Sequence, residues 1–143
     1  MNHEPGVPRL TWEAAHLAVQ AAVRQALELG ARINVSVVDA GGVPLAFLRM
    51  HGAPLHSIEI SEDKAYTAAS FGLATSDWQH ELAAHSASVR QGLPLRPRFV
   101  MFGGGLPIRC GSELIGGIGV SGGSEQQDEQ CAKAGLIAMG LQQ

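Results

Sequence analysis

The connections between the β-rich runs of this chain are too short for most parallel pairing, and that constrains the fold more than any other feature. Residues 33–38 and 44–50 are extended runs joined by Asp39-Ala40-Gly41-Gly42. Residues 99–102, 106–110 and 114–121 are short apolar runs separated by Gly103-Gly104-Gly105 and Gly111-Ser112-Glu113. A parallel pair needs a crossover of about a dozen residues or more, whereas turns of this length close hairpins. A five-stranded antiparallel sheet is therefore expected.

Helical periodicity fills the remaining segments. Thr11 can cap a helix whose Ala15, Val19, Ala22, Ala26 and Leu29 fall on one face, with Gly30 closing it. Residues 57–71 return to helical period. Thr75-Ser76-Asp77-Trp78-Gln79 offers a capping box for a third helix to about Ser86. Residues 87–98 contain Gly92, Pro94 and Pro97 and read as a surface loop. Ser124 and Gln127 cap a last helix. The expected order is α-ββ-αα-βββ-α, an α+β fold with helices against the sheet.

A chain of 143 residues with 45% hydrophobic and 16% charged residues suits one globular domain, here residues 10–143 after a flexible segment 1–9. Ten basic residues are scattered along a chain of net charge −3, which leaves no basic stripe for nucleic acid. No apolar run reaches the roughly 18 residues of a membrane span, and residues 1–8 lack a secretory signal, so the cytoplasm is the expected location. Cys110 and Cys131 form no close pair and read as reduced thiols. The aliphatic, aromatic-poor composition leaves room for a sticky interface, and a homo-oligomer is expected.

Lys64 is the most telling candidate residue. In a helical projection at about 100° per residue it shares a face with Ile60, Ser61, Thr67, Ala68 and Phe71, opposite Glu59, Glu62, Asp63, Tyr66 and Ser70. A buried ammonium must be paired or neutralised. Lys64 can therefore meet an anionic ligand, act as a base, or pair internally with Asp39 or Asp128. Arg49, Ser57 and Ser61 could join it around a carboxylate. The glycines of Gly117-x-Gly119-x-x-Gly122 match a dinucleotide fingerprint only in letters, because too little chain follows for the rest of that unit. They are better read as places where a ligand, a helix or another subunit approaches the sheet.

Six histidines are present. His80-Glu81-x-x-x-His85 is one residue too long for a zinc-binding helix motif, which turns the second ring about 140° from the first. His51 and His56 flank the entry to the second helix and could serve as acid or base, or be ordinary loop residues. His16 shares a polar face with Glu13, Gln20, Arg24 and Glu28; a solvated position and an axial haem ligand are both open for it. No nucleophile elbow surrounds Ser121.

Several motifs in order resemble the GlcG/HbpS-like haem-binding, haem-degrading family, related to the C-terminal domain of PduO-type proteins. They are Val37-Val38-Asp39-Ala40-Gly41-Gly42, Phe47-Leu48-Arg49-Met50, Gly52-Ala53-Pro54, Ser57-Ile58, Lys64-Ala65-Tyr66-Thr67-Ala68, Gly103-Gly104-Gly105-Leu106-Pro107-Ile108, residues 116–123 and Gln127-Asp128-Glu129. The resemblance implies a profilin-like or GAF-like five-stranded sheet, oligomeric assembly and, in some members, binding of haem or a corrinoid. Where the family pattern has Asp before Gly-Ala, this chain has His51. His16 lies in the first helix, where some members supply a haem-ligating histidine.

Together these readings nominate Asp39, Arg49, His56, Ser57, Lys64, Thr67, Gly104, Gly105 and Pro107 as ligand-binding residues and His16 as an iron ligand. The leading expectation is a cytosolic small-ligand-binding protein for haem or a related anionic planar ligand. The rival is a small catabolic enzyme, a tautomerase, hydratase or hydrolase, with Lys64 and His51 catalytic on a carboxylate substrate. A scaffold subunit whose glycines serve only packing is a third reading.

Overall fold

The computed structural model describes residues 3–4 and 7–141. Within the expected flexible segment 1–9, residues 1–2 and 5–6 lie outside the described residues; β1 (His3–Glu4) pairs antiparallel with β2 (Val7–Pro8). The main sheet contains β3 (Asn34–Asp39), β4 (Pro44–Arg49), β5 (Gly105–Cys110) and β6 (Glu113–Ser121) in the order β4-β3-β6-β5, antiparallel throughout. Five α-helices complete the described chain: α1 (Trp12–Leu29), α2 (His56–Phe71), α3 (Trp78–Ala83), α4 (Ala87–Gly92) and α5 (Glu125–Ala138).

The sheet therefore has four strands, which overturns the expected five. Residues 99–102 are apolar but join no ladder. The Thr67 hydroxyl donates to the Arg98 carbonyl at 2.8 Å and accepts from the Val100 amide at 3.1 Å, holding this segment against α2. Backbone groups satisfied by a side chain have less to gain from strand pairing. The expected surface loop 87–98 also contains α4, capped by the Ser86 hydroxyl, and a 3-10 turn at Leu93–Leu95. The expected capping box of Ser76 and Gln79 does not form: α3 has no side-chain cap, and the Ser76 hydroxyl donates to Glu129 Oε1 at 2.8 Å, while the neighbouring buried Thr75 accepts from the Gly105 amide at 2.9 Å.

The two faces of the sheet differ in side-chain size. Register places Asn34, Ser36, Val38, Gly117, Gly119, Ser121, Gly105 and Pro107 on one face, and Val35, Val37, Ile118, Val120, Leu106 and Ile108 on the other. The small face receives α2. A Cβ on Gly119 would stand 2.5 Å from the Ala65 amide nitrogen and 2.9 Å from the Lys64 Cβ, and one on Gly105 would stand 2.6 Å from the Lys64 carbonyl. The glycine series thus brings helix and sheet backbones close. Ser36 and Ser61 share a buried hydroxyl contact of 3.1 Å across this layer.

The aliphatic face packs on α1 and α5. Ala15, Ala18, Ala22 and Ala26 of α1 are fully buried with Cys131, Ala132 and Leu136 of α5. A Cβ on Gly135 would stand 2.6 Å from the Ile118 methyl and 3.1 Å from the Ala18 carbonyl, so small residues permit this close helix crossing. The expected caps are present at Thr11, Gly30 and the Ser124/Gln127 capping box. Among the described residues no helix is long and apolar enough to cross a membrane.

Candidate functional site

Lys64 is 1% exposed and ends in an internal ion pair. Its Nζ donates to the Val120 carbonyl at 2.8 Å and to Asp128 Oδ2 at 3.2 Å, and lies 5.1 Å from the centre of the Phe102 ring. Asp128 is also buried, and its Oδ1 accepts from the Gly123 amide at 2.9 Å. The pair joins α2 to the first turn of α5 at the end of β6. Gly104 makes room for it: its φ is +128, and a Cβ there would stand 2.6 Å from Nζ.

Burial is the largest influence on both members of the pair. It lowers the Lys64 pKa against the pull of Asp128, and it raises the Asp128 pKa against Lys64 and the Gly123 and Gly122 amides. The arrangement is that of a structural latch: Asp128 occupies the ammonium, and almost none of the side chain is open to solvent.

The other nominated residues do not converge around Lys64. Asp39 Oδ1 accepts from the Gly41 and Val43 amides at 2.8 and 3.0 Å, closing its own hairpin turn. Arg49 donates to the Ala53 carbonyl at 2.7 Å. His51 and His56 are exposed, whereas Ser57 and Pro107 are buried. Thr67 holds residues 98–100, and Gly105 packs under the Lys64 carbonyl. Burial pushes the Cys131 thiol up to about 12, so it is a poor nucleophile.

His16 lies elsewhere, on the exposed side of α1 and across the sheet from α2. By helical spacing its ring shares a face with Trp12, Gln20, Val23 and Leu27. Trp12 is 66% exposed and Leu27 is 60% exposed. An imidazole one helical turn from an uncovered indole can ligate the iron of a flat apolar ring system while the indole covers part of the ring; Leu27, three turns away, only extends the apolar face. The residues present therefore fit a haem. Among the described residues no three His, Cys, Asp or Glu side chains gather to hold a bare metal ion.

Sequence reading missed the surroundings of Arg98. Its guanidinium lies 3.7 Å from the centre of the Tyr66 ring and pairs through Nε with Asp63 at 2.9 Å. The i, i+3 spacing of Asp63 and Tyr66 was a signal for a shared helix face, but nothing local linked that face to residue 98.

Comparison with known proteins agrees with this architecture. Residues 10–137 match the family described as "Haem degrading protein HbpS-like". An "Uncharacterized 15.0 kDa protein in dhaT-dhaS intergenic region" of Citrobacter freundii is 39% identical over 140 residues, covering 95% of this chain and 96% of that protein. The corrinoid adenosyltransferase PduO of the same organism is 35% identical over 144 residues, and that match spans 98% of this chain but 42% of PduO. The crystal structure of the PduOC–haem complex superposes with a TM-score of 0.83 at 34% identity, covering 92% of this chain and 95% of that one. The fold, the ordered motifs and a family match over nearly the whole chain lead to one assignment: this chain belongs to the HbpS-like family.

Proposed function

We propose that this protein binds haem, or a closely related anionic planar ligand, on the exposed face of α1 with His16 as the iron ligand. The observation that carries the reading is His16 exposed on α1 one helical turn from Trp12, a large aromatic side chain left uncovered on the same face. Family membership and the haem complex of the PduO C-terminal domain support it. A bound haem supplies an iron centre for ligand exchange or electron transfer. The chain's own contribution is to present the imidazole, cover part of the ring with Trp12, and hold α1 in place through its buried alanines.

The reading also reassigns Lys64. With its ammonium on Asp128 and Val120, it organises the fold and does not meet the ligand's carboxylates. Titration of the purified protein with haem should give a saturable, shifted Soret band that His51→Ala and His56→Ala leave unchanged. A band that fails to saturate, or one abolished by either substitution, would count against the α1 site.

A further inference from the structure

We propose that the cleft between α2 and residues 93–99 is a second ligand site, for a small planar carboxylate: one aromatic ring bearing one anionic group. The site lies against α2 and stands independently of the haem reading, which concerns α1 on the opposite face of the sheet.

The cleft holds about 210 Å³ between Tyr66, Ser70, Phe71, Arg96, Arg98 and Phe99. Pockets for drug-sized ligands run from about 300 to 1,000 Å³, so this one suits a single ring with a small substituent and is too small for a tetrapyrrole. Its apolar wall is an aromatic cluster. Phe71 and Phe99 meet edge to face at 6.0 Å, and each packs the same way on the buried Trp78, at 4.8 and 4.9 Å.

The charges are one-sided. Two arginines, and no carboxylate among the described residues, line the cleft of a chain whose net charge is −3. Arg98 is fixed by Asp63 and by the Tyr66 ring. Its φ of +65 is the left-handed region, unusual for a residue with a side chain, and Thr67 holds the peptides on either side of Phe99. Such a conformation persists where the surroundings over-determine it. Arg96, by contrast, makes no side-chain hydrogen bond or ion pair among the described residues and is free to meet an anion. A neutral aromatic would gain only the wall, and a small inorganic anion only the arginines. An aryl carboxylate gains both.

The test is a titration of the full chain with benzoate, followed by ¹H–¹⁵N spectra, with benzyl alcohol and inorganic phosphate as separate probes. Benzoate should saturate with a Kd near or below about 1 mM and shift resonances of residues 66–71 and 93–100. Arg96→Gln, at an exposed and unpartnered position, should weaken it roughly tenfold, as should replacing the carboxylate with the alcohol. Phosphate should bind at least about as weakly as the alcohol. Ser70→Phe, which fills the cleft from an exposed position, should abolish the shifts. No saturation by about 20 mM, equal binding of benzyl alcohol or phosphate, or unchanged binding by either variant would overturn the proposal.

Discussion

Removing one member of the Lys64–Asp128 pair should destabilise the protein far more than removing both. At a separation of 3.2 Å and an effective dielectric near 20, the attraction is about 5 kcal/mol before desolvation is charged against it. Both side chains are almost wholly buried, so each ion loses several kcal/mol of hydration and the net gain is small. Asp128→Asn leaves a buried ammonium with only the Val120 carbonyl and a neutral amide, and should cost about 3–5 kcal/mol. Lys64→Met leaves a buried carboxylate on the Gly123 amide and should cost about as much. The double variant keeps an acceptor for Gly123 and leaves no unpaired charge, so it should fall within about 1–2 kcal/mol of the parent. Urea unfolding of the four proteins gives the coupling energy directly. Additive single effects, or a loss below about 1 kcal/mol for Asp128→Asn, would refute the latch.

The same pair sets a pH dependence. Asp128, raised by burial, contributes stability that is present below its unfolded pKa and lost as pH rises through the folded value; Lys64, lowered by burial, contributes stability that is present above its unfolded pKa and lost as pH falls through the folded value. The stability of Lys64→Met/Asp128→Asn relative to the parent should therefore peak between those two windows, and a flat difference across pH in denaturant titrations would contradict it. Gly119→Ala forces a Cβ against the α2 backbone and should cost at least about 1–3 kcal/mol, measured as a lower urea midpoint; an unchanged midpoint would mean that α2 can move away. Thr67→Val strands the Arg98 carbonyl and the buried Val100 amide, so a loss of about 1–3 kcal/mol with faster amide exchange at Val100 is expected, and unaltered exchange would disprove the pinning.

Local chemistry made much of this fold legible. Capping residues and alanine spacing marked α1 and α5, and short turns forced antiparallel pairing. The error at residues 99–102 has a non-local cause: Thr67, 31 and 33 positions before the two residues it bonds, holds the flanking peptides, and no window around Phe99 contains that information. Lys64 was legible as a buried cation, and Asp128 was among its named partners, yet spacing alone did not choose between a ligand and an internal carboxylate. The choice depends on β6 and α5 closing around Gly104. The exposed apolar face around His16 was obscured by Glu13, Gln20, Arg24 and Glu28 on neighbouring positions. The Arg96–Arg98 cleft went unseen because those residues lay in what read as a featureless loop.

The most direct measurement is a side-by-side haem titration of the parent protein and His16→Ala, read by Soret position and by a spectroscopic marker of axial imidazole ligation. The expected result is saturable binding with an imidazole signature in the parent, and loss of that signature with weaker binding in His16→Ala. Identical spectra and affinities for the two proteins would contradict haem ligation by α1.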